Sequence, residues 1–474
     1  MADRSAPRKS GHLHDLAVIG AGSAGFSAAI TAASEGASVA LIGHGTIGGT
    51  CVNVGCVPSK TMIRAAEALH GARAAARFDG IVAEAAVDWA RIVAAKDELV
   101  ARLRQQKYID LLPAYGSVTY LQGPARLTGD GVAVNGAALR AVKTIVATGS
   151  SPSLPDIPGI AEVPVLTSTT ALDLATLPRT LLVIGGGYIG CELAQMFARA
   201  GTAVTLLTRS RLLPGAEPEI SEALAGYLAA EGIRVLAGAA YRRIARTADG
   251  VALAIEQAGR PQTVAAERAL VTTGRTPNTT GLGLVEAGIA LTDRAGILVD
   301  ARMRTSRPGV YAAGDVTGRD QFVYMAAYGA KIAALNAMHG DRLAYDNAAM
   351  PWVVFTDPQA AGVGLTAASA RAAGFEPATS VVALDQVARA LAARDTRGLI
   401  KLVADSRTGR LLGGQLLAPE GADSIQTLAL ALKHAMTAKE LGETIFPYLT
   451  TVEGLKLAAQ GFGKDVTKLS CCAG

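Results

Sequence analysis

The chain has 474 residues, half of them hydrophobic and 18% charged, which excludes a wholly disordered protein and gives material for about three domains. Its 45 basic and 40 acidic residues leave a net charge of +5, near neutral for this length, so bulk charge gives no support for a nucleic-acid or membrane-surface partner. Five cysteines do not make a secreted disulfide scaffold, and the polar start MADRSAPRKSGHLHD has no apolar signal core, so a soluble, cytoplasmic, multidomain protein without membrane insertion is expected. Aromatics are only 4% against 53 glycines, so the cores should be built from Ala, Val, Leu and Ile.

In chain order, residues 1–14 read as a polar flexible arm, in which His12 and His14 are expected to be solvated rather than metal ligands. An internal repeat follows. Leu16-Ala17-Val18-Ile19 runs into Gly20-x-Gly22-x-x-Gly25, an Ala-rich helical stretch and the apolar run 38–42. Leu181-Leu182-Val183-Ile184 runs into Gly185-x-Gly187-x-x-Gly190, a second helical stretch and the run 203–207. Each copy reads strand, glycine turn, helix, strand, which is the dinucleotide-binding unit. The first glycine permits the tight turn, the second lets backbone approach a pyrophosphate, and the third lets helix and strand pack closely. The helix N-terminus then offers free N–H groups to the phosphates. One such motif is weak evidence; two, each after an apolar strand, are strong.

Pro152, Pro155 and Pro158 mark a linker after Ala147-Thr148-Gly149, and residues 273–278 form a similar break. Residues 310–315 read as a buried strand ending in Gly314-Asp315. From about Met350 the pattern changes to short strands, such as 352–355, and 400–403 with 411–416 flank a Thr-Gly turn as a hairpin. The expected fold is α/β, with two dinucleotide-binding Rossmann-like domains and a C-terminal α+β domain. The divisions fall at 15–150 and 274–349 for the first domain, 151–273 for the second and 350–474 for the third.

Gly48-Gly49-Thr50-Cys51-Val52-Asn53-Val54-Gly55-Cys56-Val57-Pro58-Ser59-Lys60 follows the first unit. Two cysteines five apart at the start of a helix can form a disulfide or a dithiol, and a helix N-terminus favours thiolate. The spacing is wider than a zinc C-x-x-C, and no second cysteine pair is near enough to complete four ligands. Cys191, just after the second glycine motif, reads as a packing residue.

These motifs together resemble the flavoprotein disulfide reductase family from about residue 15 to the end. The resemblance implies that the first unit binds FAD through Gly20, Gly22, Ser23, Ala24, Gly25, Gly49, Thr50, Lys60, Thr148, Gly149, Gly314 and Asp315. It implies that the second binds NADPH through Gly185, Gly187, Tyr188, Ile189, Gly190, Arg209, Arg211 and Gly274. Electrons would pass from NADPH through FAD to the cysteine pair, with Cys56 nearest the flavin and Cys51 exchanging with substrate. Lys60 and Glu192 match an ion pair beside the flavin, and Tyr188 matches the residue that shields the flavin until nicotinamide arrives. The resemblance also implies a homodimer whose active sites are shared between subunits.

Disulfide reductases of the family carry a histidine, held by a glutamate, that protonates the leaving thiol. Here the corresponding stretch is Phe446-Pro447-Tyr448-Leu449-Thr450-Thr451-Val452-Glu453, with Tyr448 in place of histidine. A metal ion needs no such proton. The tail Ser470-Cys471-Cys472-Ala473-Gly474 offers two adjacent thiols, soft ligands that suit a soft metal such as Hg(II). Tail, missing histidine and residues 45–56 and 354–359 resemble the mercuric reductases of the family. The activity so implied is reduction of Hg(II) by NADPH. Cys471 and Cys472 of the partner subunit would capture the metal and pass it to Cys51 and Cys56, with Tyr448 lining the inner site. The alternative is a thiol-disulfide reductase, lipoamide-dehydrogenase-like or thioredoxin-reductase-like, in which the tail would relay electrons.

Leu207-Thr208-Arg209-Ser210-Arg211 ends the second unit's second strand with no acid, which suits the 2′-phosphate of NADP rather than NAD. The first unit departs from pattern: Gly43 stands where a ribose-binding acid is expected, and no Asp or Glu occurs between residues 36 and 66. His44 is a candidate substitute, weighed against a solvated loop histidine. The N-terminal arm has no cysteine, so Hg(II) is expected to arrive from small thiols, a mercury-delivering protein or solution.

Overall fold

The computed structural model describes residues 13–129, 131–465 and 468. The chain divides into two compact units. The first comprises Met1–Ser59, Ala94–Ser153 and Gly274–Asp346; the second comprises Lys60–Val93, Leu154–Thr273 and Asn347–Gly474.

The first unit is built on a five-stranded parallel sheet. Its centre is β1 (His14–Ile19), flanked by β2 (Val39–Gly43) and the strand Ala141–Val146, with Val118–Gln122 and Val310–Ala312 at the edges. A strand covered on both faces needs a continuous apolar run rather than alternation, and Leu16 to Ile19 supply it, all nearly inaccessible to solvent. His14 opens β1 and is itself buried, so the expectation of a solvated histidine there is corrected: strand pairing with Ala141 draws it in. His12 lies outside the described residues. Helix α1 (Ser23–Ser34) packs along Val323–His339. Both present mostly alanine to the contact, including Ala28, Ala29, Ala32, Ala330, Ala333 and Ala334. Small side chains let the two backbones approach closely and fill the gap without large residues. The linker segments meet as a two-stranded antiparallel pair, Ser150–Pro152 with Arg275–Pro277.

The second unit contains the other parallel sheet, in the order Arg234–Leu236, Ala203–Leu207, Thr180–Ile184, Arg268–Val271, Leu166–Thr167. Its C-terminal part is a five-stranded antiparallel sheet. Within it, Leu399–Asp405 and Leu411–Ala418 form the expected hairpin. The helices Gly421–Lys433, Ala438–Glu443 and Glu453–Gln460 belong to the same part. Among the described residues no helix is long and apolar enough to cross a membrane.

Candidate active site

The two glycine turns are geometric duplicates. Gly20 (φ +124°) and Gly185 (φ +119°) both lie in backbone regions closed to most side chains, and a Cβ on either would strike the carbonyl of the neighbouring strand's end, Ala147 or Thr272. A Cβ on Gly25 or Gly190 would strike the carbonyl of Gly20 or Gly185, so the third glycine lets each helix start against its own turn. The two helices, α1 and Tyr188–Ala200, are capped by Gly22 and Gly187 with no side-chain cap and no acid in the first turn. Their N–H groups are therefore open to an anion. At Gly187 a Cβ would stand in open space. Both cradles fit the pyrophosphate of a dinucleotide.

The cysteines are brought to the first turn by glycine contact. Gly49 (φ +66°) opens the short helix α2 (Gly49–Asn53), and a Cβ on it would come 2.6 Å from the Cα of Gly22. Gly48 N–H also donates to the Ala21 carbonyl at 2.9 Å. Cys51 lies in α2, and Cys56 is the first residue of α3 (Cys56–Arg73), so both sit at helix starts; both are half-buried. Two residues near the pair carried no sequence signal. Arg275 is close enough for its charge to feel Cys56; burial lowers its pKa, with Asp315 and Cys56 opposing. The Tyr108 pKa is raised chiefly by burial and further by Cys51 and Cys56, while a hydrogen bond with Ser23 opposes.

Asp315 is held from two sides. Ser150 Oγ donates to its Oδ2 at 2.7 Å, and Arg275 Nε donates to Ser150 Oγ at 2.7 Å and lies 3.8 Å from Asp315 Oδ2. Gly314 (φ +77°) closes against α1, where a Cβ would approach Ala24 to 3.0 Å. Thr148 donates to the Asn278 carbonyl at 2.7 Å and accepts in return at its own carbonyl from the Asn278 amide, which fixes the turn before Gly149. Gly43 ends β2 and is buried, whereas His44 is exposed, as a loop histidine should be. Thr50 is exposed at the start of α2.

In the second unit Lys60 Nζ pairs with Glu192 Oε2 at 2.7 Å. Glu192 is 5% exposed and Lys60 33%. The other carboxylate oxygen accepts the Phe355 N–H at 2.9 Å, and the Lys60 ammonium stands 4.9 Å over the Phe355 ring. The buried carboxylate is thus matched by a cation and a backbone donor, as a buried charge must be. Tyr188 begins the helix that carries Glu192 and stacks on Trp352, with ring centroids 5.5 Å apart; burial pushes its phenol up to about 12. Ile189 follows it, partly buried. Cys191 is fully buried with its thiol pushed well above the ordinary value, the packing role expected.

At the end of Ala203–Leu207, Arg211 donates to the carbonyls of Pro214 and Ala216 at 3.1 and 2.6 Å. Arg209 is exposed and makes no hydrogen bond or ion pair with a described residue. Of the two arginines, Arg209 is the one with its guanidinium uncommitted. Gly274 (φ +119°) stands in the first unit with open space where a Cβ would be.

Tyr448 is 49% exposed in a loop that also exposes Ile445 and Leu449. Glu453 opens the helix after it, and its carboxylate accepts the N–H of Leu449, a residue in the left-handed region (φ +60°). The glutamate that would orient a histidine in a disulfide reductase here stabilises a turn. Cys471 and Cys472 lie outside the described residues. Among the described residues no cluster of three or more His, Cys, Asp or Glu could hold a metal.

Comparison with known proteins agrees with this geometry. The family profile for pyridine nucleotide-disulphide oxidoreductase matches residues 14–333, and that for the pyridine nucleotide-disulphide oxidoreductase dimerisation domain matches 350–459. The latter match suggests a homodimer. The chain is 45% identical to the mercuric reductase of Streptomyces lividans over 97% of its own length and 98% of that protein. It is 46% identical to that of Shigella flexneri over 98% of its length and 83% of the other, and 44% identical to that of Staphylococcus aureus over 97% and 84%. Among solved structures, the Cu(II) complex of the HOCl-induced flavoprotein disulfide reductase RclA from Escherichia coli superposes with a TM-score of 0.83 at 30% identity, covering 95% of this chain and 99% of that one.

Proposed function

Because the chain belongs to the pyridine nucleotide-disulphide oxidoreductases, and to the mercuric reductases among them, we propose that it reduces Hg(II) with NADPH, giving Hg(0), NADP+ and a proton. The observation that carries this reading is identity of 42–46% to seven curated mercuric reductases over nearly the whole chain. Tyr448 in place of a proton-donating histidine supports it.

FAD, when bound at the first glycine turn, supplies two-electron transfer between the nicotinamide and the cysteine pair. Gly20, Gly22, Ser23, Ala24 and Gly25 would hold its pyrophosphate, with Gly49, Thr50, Thr148, Gly149, Gly314 and Asp315 completing the site. Gly185, Gly187, Ile189 and Gly190 would hold NADPH, with Gly274 as a further contact implied by the family resemblance. By the family resemblance Tyr188 would shield the flavin until nicotinamide arrives, and the Lys60–Glu192 pair would supply a fixed cation to it. Cys471 and Cys472 of the partner subunit capture Hg(II), and ligand exchange passes it to Cys51 and Cys56. Thiolates suit a soft cation, and a two-thiolate site favours transfer from a second two-thiolate site by stepwise exchange. Tyr448 of the partner subunit lines the inner site and loosens thiolate ligation so that the metal can be reduced and leave. Small thiols or a delivering protein supply the metal.

A thiol-disulfide reductase is the second reading, favoured by the likeness to a flavoprotein disulfide reductase of known structure. Side-by-side assays separate them. NADPH oxidation is expected with Hg(II) in excess small thiol, and not with lipoamide, oxidised glutathione or thioredoxin. Turnover on a disulfide in place of Hg(II) would reverse the assignment.

Coenzyme choice follows from Arg209. A guanidinium–phosphate contact contributes about 1.5–3 kcal/mol, so Arg209→Ala is expected to raise KM for NADPH by about 10- to 100-fold and leave KM for NADH unchanged. Equal losses with both coenzymes would remove Arg209 from the 2′-phosphate site.

A further inference from the structure

The end of β2 lacks the acid that grips an adenosine ribose, and the space an acid would need is already filled. A Cβ built on Gly43 falls 2.5 Å from the hydroxyl of Tyr120, 2.9 Å from its ring Cε2 and 2.8 Å from the Cβ of Ala21. Residue 43 can therefore carry no side chain while Tyr120 stands where it does. Tyr120 comes from Val118–Gln122, the strand parallel to β2, in which Leu41 pairs with Tyr120 and Gly43 with Gln122. Ala21 lies between Gly20 and Gly22, so the hydroxyl stands beside the glycine turn, at the mouth of the first dinucleotide cradle. It makes no hydrogen bond with any described residue, although the tyrosine is half-buried. Burial raises its pKa further above neutrality, which keeps the O–H able both to donate and to accept.

We propose that Tyr120 replaces the missing acid, its hydroxyl hydrogen-bonding the adenosine ribose of the dinucleotide in the first unit. The assignment rests on the reading of that unit as the FAD site. Glycine at 43 and tyrosine at 120 act as one exchange: the first vacates the strand end and the second enters from the neighbouring strand. His44 is exposed at the turn and takes no part.

The test is flavin release from the holoenzyme in urea, followed by flavin fluorescence, with no catalytic readout. Tyr120→Phe removes one oxygen and keeps the ring against Ala21. One neutral hydrogen bond corresponds to a release rate about fivefold faster, and His44→Ala should match the parent. The same proteins are reconstituted with an FAD whose adenosine lacks its 2′- and 3′-hydroxyls, and there the parent and Tyr120→Phe should release flavin equally. Parent-like release from Tyr120→Phe, the same penalty with both flavins, or loss in His44→Ala instead would overturn the assignment. A protein that purifies without flavin and takes up none would overturn the FAD reading itself, an outcome distinct from all of these.

Discussion

Cys56→Ser is expected to abolish Hg(II)-dependent NADPH oxidation, lowering turnover at least about a thousandfold, as loss of a reacting group does. The substitution is nearly isosteric at the first position of α3, so the helix and the Gly22–Gly49 contact that seats the pair should persist. What is lost is chemical. A serine hydroxyl does not ionise near neutral pH and is a hard ligand, so neither electron transfer to the metal nor two-sulfur capture survives. Arg275, within electrostatic reach of Cys56, would then face a neutral residue. Anaerobic NADPH should still bleach the flavin of the variant, because the proposed electron path reaches the flavin before the dithiol. Mercury-dependent turnover within tenfold of the parent would remove Cys56 from the reaction.

Arg199→Ala should cause the largest loss of stability of any single substitution discussed. Arg199, 4% exposed, sits at the far end of the helix that starts with Tyr188. It donates two hydrogen bonds of 2.7 Å to Glu231 and one of 2.8 Å to Asp357. Arg397 adds contacts to the same two carboxylates at 3.4 and 3.2 Å. Gln195 bridges them, donating to the Asp357 carbonyl and accepting from its N–H, each at 2.8 Å. This network anchors the helix to the segment that carries Trp352 and Phe355, on which Tyr188 and Lys60 rest. Removing one partner of a buried ion pair costs about 3–5 kcal/mol, a fall in melting temperature on the order of 10 °C. The deficit should narrow on acidification. His70 has its pKa held below 6.5 by burial first and by Arg199 next. A depressed histidine contributes stability above its unfolded pKa that is lost as pH falls through 6.5, and the variant, freed of one depressing charge, loses less. Melting curves at pH 7.5 and 5.5 measure both parts. A melting temperature within 2 °C (roughly 0.5–1 kcal/mol) of the parent at pH 7.5 would contradict the anchoring role.

Local motifs made much of this molecule legible from sequence. The glycine spacing announced both dinucleotide turns because the third glycine of each answers a contact inside its own strand–turn–helix, with the carbonyl of Gly20 or Gly185, while the first sits at a positive φ that the tight turn requires. The hairpin of residues 399–418 declared itself by its turn and apolar flanks. Lys60 and Glu192 were paired through family resemblance, since 132 positions separate them and neither carries a local sign of the other. What stayed hidden depends on tertiary approach alone. Nothing near Asp315 in sequence points to Ser150 or Arg275, which reach it across the crossover strands. Trp352 under Tyr188, Tyr108 near the cysteines and the Arg199 network are of the same kind. His14 reads as part of the arm because a polar arm and the first residue of a buried strand look alike until the partner strand is placed. At Gly43 the sequence revealed the gap and the strand register revealed what fills it.

Mercury vapour released per NADPH oxidised, from Hg(II) in excess small thiol, tests directly whether the chain reduces mercury. The parent would run beside Cys471→Ala/Cys472→Ala. Expected are Hg(0) equimolar with NADPH oxidised by the parent, and a loss of turnover in the variant that is greatest when thiol-bound Hg(II) is the only source. NADPH consumption without mercury release, or release unchanged by loss of both tail cysteines, would contradict it.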